Sequence, residues 1–318
     1  MRPPYDISPK ILQLVSSISI KLGEVNANYL NKATPQLRKQ SKIKTILSSL
    51  QIEGNTLNEE QVSAIFENKI VIGPRKDILE VQNAIKVYDS FNQFKSASEK
   101  SLLLAHKMLM NGLIDNAGSF RNTGVGIVKG SIVTPLAPPS ELVPALMNDL
   151  MDYLKNDKEL ALIKSCVFHY ELEFIHPFTD GNGRMGRLWQ TLILLEEFPV
   201  FEFLPFETLI KSTQINYYKA LSMSDKMGKS TLFIEYLLDI IDKSLEEMLH
   251  YTNKVMTSLE RLNYFIQEGI KEFTRKDYML LFKDISTATA SRDLQKGIEL
   301  KLLKKSGLKN KTRYSVLN

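Results

Sequence analysis

Residues 176–187 read His-Pro-Phe-Thr-Asp-Gly-Asn-Gly-Arg-Met-Gly-Arg and combine a titratable ring, a carboxylate, a glycine-rich turn and two guanidinium groups. Residues 180–183 are turn formers. Met185, Leu188 and Leu192 follow at helical spacing, so the stretch is predicted to be a loop that opens directly into a helix. The free N–H groups of a helix's first turn and the helix macrodipole favour an anion, and glycines let the backbone approach it closely. The stretch therefore predicts a site for phosphate groups.

The same stretch resembles the signature HPFx(D/E)GNGRxGR of Fic domains. The resemblance implies a protein adenylyltransferase that uses ATP and Mg²⁺, transfers AMP to a Ser, Thr or Tyr hydroxyl of a target protein and releases pyrophosphate. Gly183 and Arg184 match the members that transfer AMP and differ from the pattern of the kinase-like relatives. The alternative is a surface loop with a capped helix behind it, which explains neither the histidine nor both arginines.

Each residue of the motif has a chemical task under this hypothesis. His176 is the candidate general base, since an unperturbed histidine has a pKa of about 6.5. Asp180 can supply one oxygen ligand to Mg²⁺, although it could also cap the following helix. Arg184 and Arg187 can clamp the β- and γ-phosphates. The predicted nucleotide-binding residues of the stretch are Gly181, Asn182, Gly183, Arg184, Met185, Gly186 and Arg187.

Other aromatic and histidine residues receive weaker predictions. Tyr217-Tyr218 resembles a family segment whose second tyrosine holds the nucleotide, so Tyr218 is a further candidate, with a packed core aromatic as the alternative. Phe178 and Trp189 are assigned to the core. The histidines outside the motif are predicted to be structural: His106, His169 and His250.

A second informative stretch, residues 49–55, reads Ser-Leu-Gln-Ile-Glu-Gly-Asn. The preceding apolar residues have helical spacing, and Gly54 is a typical helix stop. A carboxylate at a helix C-terminus, such as Glu53, is disfavoured by roughly 0.3–1 kcal/mol. This placement predicts that a cation outside the helix compensates Glu53, the alternative being an exposed glutamate in a helix tail.

The stretch resembles the inhibitory motif (S/T)xxxE(G/N) of Fic proteins, in which the glutamate pairs with the second arginine of the signature. Ser49 and Glu53 are therefore the predicted regulatory residues, and Arg187 is the predicted partner of Glu53. A glutamate on Arg187 would occupy a place that a γ-phosphate needs. The resemblance implies the class whose inhibitory helix lies in an N-terminal extension.

A short β-hairpin is predicted between Val125 and Thr134, with residues 129–131 as its turn. Its surroundings, residues 118–121 before it and Pro138-Pro139 after it, resemble the usual frame of the Fic flap. The resemblance implies that the flap holds a segment of the protein substrate. An edge hairpin over the core is the alternative.

Helical periodicity dominates the rest of the chain, with predicted helices near 8–22, 35–53, 58–67, 79–93, 99–110, 140–155, 159–174, 182–196, 213–222 and 231–262. The predicted fold class is mainly α: a Fic-type helical bundle with a small β-hairpin flap, plus a C-terminal winged-helix domain. The predicted segments are an N-terminal helical region (1–95), a Fic catalytic core (96–235), a connecting helix (236–264) and the winged helix (265–318).

The winged-helix prediction depends on the last 48 residues, which carry twelve Lys and Arg against five Asp and Glu. A helix, a turn, a second helix and a basic hairpin resemble the winged-helix appendage often found after Fic cores. Residues Thr287 to Lys296 would form the recognition helix. DNA binding and protein docking are equally open. For DNA, the predicted phosphate contacts are Lys304, Lys305, Lys309, Lys311 and Arg313.

The composition fits an ordinary globular protein of 318 residues. The single cysteine, Cys166, cannot form an internal disulfide. No signal peptide and no run of eighteen apolar residues is found in the sequence, so a cytoplasmic location without membrane contact is expected. A homo-oligomer is left open. Two alternative functions also stay open: a hydrolase that removes AMP from proteins, and a DNA-binding regulator whose Fic site is vestigial.

Overall fold

The computed structural model describes residues 2–28, 35–124, 126–129, 132–135, 137–253, 257–267, 269–282, 285–307 and 312–317. The chain divides into two compact units, Met1–His250 and Tyr251–Asn318. Each has a hydrophobic core of its own. No helix of the described residues is long and apolar enough to cross a membrane.

The helices that begin in the first unit, among the described residues, are α1 (Pro9–Asn28), α2 (Pro35–Ile52), α3 (Glu59–Phe66), α4 (Arg75–Asp89), α5 (Glu99–Leu109), α6 (Val143–Asn156), α7 (Ala161–Ile175), α8 (Asn182–Glu197), α9 (Glu207–Ser212), α10 (Gln214–Met227) and α11 (Thr231–Asn253). Short 3-10 helices cover Phe91–Gln93, Ser140–Leu142 and Pro199–Glu202. The helical character that the sequence predicts is therefore confirmed, although α9 was not predicted.

The predicted hairpin consists of strands β1 (Gly126–Lys129) and β2 (Ile132–Pro135). They pair antiparallel, with Val128 opposite Val133. Val125, Gly130 and Ser131 of the predicted flap lie outside the described residues.

Helices α7 and α8 lie at the centre of the first unit. Phe168 on α7 and Trp189 on α8 are fully buried, as is Phe178 in the loop between the two helices. Helix α7 is apolar on nearly every side, and such a helix is stable only inside the protein. It packs against α8, which is buried over most of its length although it carries both arginines of the motif. The loop of residues 176–181 thus begins and ends on the most buried helices, and it opens directly into α8 at Asn182, as predicted.

Helix α2 packs against α3, α4, α8 and α9. Ile43, Ile46 and Leu50 are buried on its inner face. The helix ends at Ile52, and Gly54 follows with a φ of 90°, a conformation that glycine adopts without strain. Glu53 therefore lies at the C-terminal end of a helix, where the sequence placed it.

The second unit contains α12 (Ser258–Gln267), β3 (Glu272–Phe273), α13 (Arg275–Leu281), α14 (Thr287–Glu299), β4 (Leu303–Ser306) and β5 (Arg313–Val316). The strands form a small antiparallel sheet in the order β3-β5-β4. The interior of the second unit includes a buried ion pair in which Arg261 Nε lies 2.6 Å from Asp293 Oδ2.

The prediction of one helix over 231–262 is wrong. Helix α11 ends at Asn253 and α12 begins at Ser258, while residues 254–256 lie outside the described residues. Thr257 and Glu260 cap the start of α12 reciprocally: each backbone N–H donates to the other's side chain, at 2.8 and 3.3 Å. This Thr-x-x-Glu capping box was present in the sequence and marks a helix start.

The boundaries of the four predicted segments stay predictions. The second unit nevertheless includes residues that the predicted division gave to the connecting helix, because Leu262 on α12 is buried in its core.

Candidate active site

His176 is the residue at which α7 ends. Its φ of 51° and ψ of 56° are left-handed, an uncommon conformation for a residue with a side chain. This turn directs the chain from α7 into the loop. Arg121 stabilises it, because its backbone N–H donates to Pro177 O at 2.8 Å and its Nε donates to His176 O at 2.7 Å.

Arg121 also joins this turn to both sides of the hairpin. Its Nη1 donates to Thr123 O before β1, at 2.9 Å, and its Nη2 donates to Pro138 O after β2, at 2.6 Å. The side chain is buried, and all its hydrogen bonds go to backbone carbonyls. Arg121 therefore ties the base-bearing turn to the ends of the hairpin.

The pKa of the His176 ring is lowered, which favours its neutral form. Burial lowers its pKa and the charge of Arg121 lowers it further, while a hydrogen bond to the backbone carbonyl of Glu173 and the charges of Asp180 and Glu53 oppose the shift. A neutral imidazole can accept a proton, as a general base must.

The loop is held rigidly by Asn182 and His106. Asn182 Oδ1 accepts from Phe178 N at 2.9 Å, and its Nδ2 donates to Phe178 O at 2.8 Å. The ring of His106 stacks on that of Phe178, with 3.7 Å between centroids. The side chain of Asn182 thus fixes the loop, while its backbone N–H belongs to the uncapped first turn of α8.

His106 contacts the loop at Asp180. Its Nδ1 accepts from Gly118 N at 2.9 Å, so Nε2 carries the proton and donates to Asp180 O at 3.0 Å. Burial lowers the pKa of His106 to about 4, against the hydrogen bond to Asp180. The prediction that His106 is structural is thereby confirmed, and its role is specific: it supports the carboxylate-bearing residue of the motif.

The N-terminus of α8 has the features of an anion site. Gly181 precedes it with a φ of 89°, and no side chain caps the first turn. The backbone N–H groups of Asn182, Gly183 and Arg184 have no acceptor within the helix. A Cβ at Gly183 would overlap Glu53 Oε1, so a side chain at this position would displace the Glu53 carboxylate.

Arg187 is enclosed by the end of α2, as predicted. Its Nη2 donates to Glu53 Oε1 at 2.7 Å and to Ser49 O at 2.9 Å, and its Nε donates to Ser49 Oγ at 3.0 Å. The guanidinium is 0% exposed and the Glu53 side chain 32%. Burial opposes the charge of Arg187, but Glu53 raises its pKa and keeps it ionised. Glu53 therefore has the compensating cation that its position required.

Arg184 is held in the same manner by a different helix. Its Nη1 donates to Glu80 Oε1 on α4 at 2.9 Å, and its Nη2 donates to Asp180 Oδ1 at 2.8 Å. Burial works against the ionised form of Asp180, yet Arg184 and the N–H of Gly181 outweigh it, so the pKa of Asp180 is lowered. Both arginines of the motif are thus paired with carboxylates from the N-terminal region.

The remaining predicted residues differ in their exposure to solvent. Tyr218 is 48% exposed, whereas its neighbour Tyr217 is buried, so the alternative of a packed core aromatic does not apply to Tyr218. The side chain of Met185 is fully buried, and a Cβ at Gly186 would overlap the ring of His169. Helical periodicity turns these two residues away from the face that carries Arg184, and their assignment to nucleotide binding stays a prediction.

Three residues of this site were not singled out from the sequence for the contacts that they make: His106, Arg121 and Glu80. Arg121 was noted only as part of the hairpin's frame. Glu80 carried one available signal, since a glutamate on the inner face of an amphipathic helix is unusual unless it is paired.

The fold and the site define a helical protein with a glycine-rich loop between its two central helices. The profile of the Fic/DOC family matches residues 96–194. A crystal structure of a Fic family protein from Desulfovibrio desulfuricans G20 is 38% identical, covers 100% of this chain and 99% of that one, and has a TM-score of 0.78. The chain belongs to the Fic/DOC family and is related to the protein adenylyltransferases named Fic.

More distant relatives agree with this assignment. The protein adenylyltransferase fic-1 of Caenorhabditis briggsae is 32% identical over 219 residues, which are 64% of this chain and 40% of that protein. Its counterpart in Caenorhabditis elegans is 29% identical over 272 residues, or 78% of this chain and 50% of that protein. The chain thus spans about half the length of these relatives, or less. A solved structure of Fic-1 from C. elegans, 23% identical with a TM-score of 0.62 over 77% of this chain and 73% of that one, shares the fold.

Proposed function

We propose that this chain is a protein adenylyltransferase, which transfers AMP from ATP to a Ser, Thr or Tyr hydroxyl of a target protein and is restrained by Glu53. The main support is that α7 ends in a left-handed turn at His176 and that the loop after it leads directly into the uncapped first turn of α8, where Arg184 and Arg187 lie one helical turn apart. The relatives that carry the name protein adenylyltransferase support the same reaction.

In the proposed reaction, the target hydroxyl oxygen attacks the α-phosphorus of ATP and the bond to the bridging oxygen of pyrophosphate breaks. His176 accepts the proton of the hydroxyl, since its ring is neutral at physiological pH. The N–H groups at the start of α8 and the two guanidinium groups stabilise the charge on the phosphates. Pyrophosphate leaves, and AMP stays on the target through a phosphodiester bond.

Asp180 fits the predicted Mg²⁺. Its Oδ1 is used by Arg184 and by the N–H of Gly181, while Oδ2 makes no hydrogen bond to the described residues. Within the described part of the chain, no group of three His, Cys, Asp or Glu side chains could hold a metal ion. A single carboxylate suits Mg²⁺, which commonly binds through one or two carboxylates together with substrate phosphates and neutralises part of their charge.

The restraint follows from the contacts of Arg187. Its Nε donates to Ser49 and its Nη2 donates to Glu53, and the guanidinium is 0% exposed. A γ-phosphate would therefore have to compete with the Glu53 carboxylate for this buried cation. Release of the end of α2 would free Arg187 for the nucleotide. The proposed role of Tyr218, which is half-exposed, is to hold the nucleotide beside this site.

The hairpin is proposed to hold the protein substrate. A strand with a free edge can pair with an extended peptide, and Arg121 fixes the ends of this hairpin to the turn that bears His176. A peptide at the hairpin would then present its hydroxyl to the base.

We also propose that the second unit is a winged helix. Helices α13 and α14 would form the helix-turn-helix, and β4 with β5 would form the wing. Basic side chains are exposed on α14, at Arg292 and Lys296, and on β4, at Lys304 and Lys305. Lys309 and Lys311, two of the predicted DNA contacts, lie outside the described residues, and Arg313 lies 3.9 Å from Glu272. DNA and a docking protein both stay candidate partners.

Incubation of wild type and the Glu53→Gly variant with a panel of α-labelled NTPs tests the proposal. Label is scored on the protein itself and on proteins of a lysate. The expected result is label from ATP, stronger for Glu53→Gly and abolished by His176→Ala. Nucleotide binding by Glu53→Gly without any label transfer would overturn the proposed reaction.

A second candidate function is hydrolysis of AMP from modified proteins. The Glu53 side chain is 32% exposed, and its Oε1 lies against Gly183 in the first turn of α8, a position from which the carboxylate would orient a water molecule. Incubation of wild type with self-modified Glu53→Gly protein measures this activity. Release of AMP that requires Glu53 would support it.

A further inference from the structure

The first arginine of the motif is held from two sides. Arg184 Nη1 lies 2.9 Å from Glu80 Oε1, and Nη2 lies 2.8 Å from Asp180 Oδ1. The side chains of Arg184 and Glu80 are 5% and 7% exposed, whereas that of Asp180 is 48% exposed. Arg184 Nε is buried and has no hydrogen-bond partner among the described residues. The guanidinium is thus fixed on its buried side and joined to a solvent-accessible carboxylate on the other.

Glu80 is itself fixed by the end of the inhibitory helix. Asn55 Nδ2 donates to Glu80 Oε2 at 2.8 Å and to Asp77 O at 3.1 Å. The backbone N–H of Asn55 donates to Leu50 O at 3.1 Å, which closes the C-terminal turn of α2. The Glu80 carboxylate therefore contacts both Asn55, in the turn that follows Glu53, and Arg184, the arginine paired with Asp180.

We infer that Glu80 is a positioning residue for the phosphate site. Its contact with Nη1 keeps the Arg184 side chain directed at the loop, while Nη2 exchanges Asp180 for a phosphate oxygen. This inference rests on the proposed function. Mg²⁺ bound at Asp180 would draw on the same carboxylate charge that now holds Nη2, and so weaken that pair. Because Glu80 is buried and anchored by Asn55, its hold on Nη1 does not depend on the ligand.

The inference predicts that Glu80 matters for nucleotide binding only when the metal is present. Without Mg²⁺, Asp180 keeps Nη2 and Arg184 contributes little to phosphate binding. With Mg²⁺, loss of the Glu80 charge weakens the contact that keeps the guanidinium in place when it must meet the phosphate. A purely structural role of Glu80 would weaken binding equally in both conditions.

The test is equilibrium binding of ATP to full-length Glu53→Gly protein, with Mg²⁺ and with EDTA, for Glu80→Gln and for a matched control, Glu60→Gln. Glu60 is an exposed glutamate on α3, so the control removes the same charge at a position without contact to the site. Glu80→Gln is expected to raise Kd about tenfold with Mg²⁺ and less than about twofold with EDTA. The control should match its parent in both conditions.

A double-variant comparison adds a second readout. Arg184→Lys keeps the charge but cannot contact Glu80 and a phosphate at once. If Glu80 acts through Arg184, adding Glu80→Gln to Arg184→Lys changes Kd by less than about twofold. If Glu80→Gln lowers the folded fraction, Glu80→Asp, which keeps the charge but shortens the reach to Nη1, replaces it in the same comparison.

The outcomes separate the two proposals. An equal rise in Kd with and without Mg²⁺, or no rise at all, overturns the inference while leaving the proposed function in place. Failure of the Glu53→Gly parent to bind ATP with Mg²⁺ overturns the proposed function, and the inference with it.

Discussion

Glu53 Oε1 lies 2.7 Å from Arg187 Nη2, although 134 residues separate the two in the sequence. A carboxylate at the C-terminal end of a helix is disfavoured by the helix dipole, and a buried guanidinium is disfavoured without a counter-ion. Each residue thereby supplies what the other lacks. In the proposed function, the same contact makes a nucleotide phosphate compete with Glu53 for Arg187.

Glu53→Gly is expected to raise AMP transfer about tenfold or more, because it removes a charge-assisted hydrogen bond that competes with phosphate at Arg187. Self-modification with α-labelled ATP measures the change. Glu60→Gln serves as the control and should behave as wild type. Unchanged or lower transfer by Glu53→Gly would show that Glu53 does not restrain this site.

His176→Ala is expected to reduce transfer by about a hundredfold or more while the Kd for ATP with Mg²⁺ stays within about threefold of the parent. The base acts on the incoming hydroxyl and not on the nucleotide. Both quantities are best measured in the Glu53→Gly background, where transfer is expected to be highest. Substantial transfer without His176 would exclude it as the base.

The pH dependence of transfer should report the lowered pKa of His176. The neutral ring is the active form, so transfer is lost as pH falls through its pKa, and burial places that pKa below about 6.5. The rate of Glu53→Gly should therefore be nearly constant from pH 8 down to about 6.5 and decline below it. A decline that begins well above pH 7 would mean that another group controls the proton transfer.

Asp180→Ala is expected to weaken ATP binding about tenfold with Mg²⁺ and little with EDTA, because it removes the carboxylate proposed to bind the metal. Asp152→Ala, an exposed aspartate on α6, is the matched control. Titration of Mg²⁺ at fixed ATP measures the metal dependence directly. Identical Mg²⁺ titrations for Asp180→Ala and its parent would reject the metal role.

His106→Phe is expected to destabilise the protein by about 1–3 kcal/mol, because it leaves Gly118 N–H and Asp180 C=O without their buried partner while the stack on Phe178 is kept. Urea unfolding measures the change in the free energy of unfolding. Nucleotide affinity should fall as well, since the loop loses a support. Wild-type stability of this variant would contradict the assigned tautomer and contacts.

Several features of the fold depend only on residues that are close together in the sequence. The turn, the start of α8 and the residues of the anion site follow from local chemistry: glycines, turn formers and apolar residues at helical spacing act over a few residues. The start of α12 is equally local, in the Thr257 and Glu260 capping box, although the apolar periodicity of the sequence predicts one continuous helix there.

The sequence by itself determined the loop of residues 176–181, the start of α8 with its two arginines and the helix end that carries Glu53, because each depends on residue type and short-range spacing. Only the tertiary structure decided what surrounds them. Arg121 reaches His176 across 55 residues and Glu80 reaches Arg184 across 104. Such contacts arise where packed helices bring buried charges together, since a charge removed from water must find a partner wherever the fold places one.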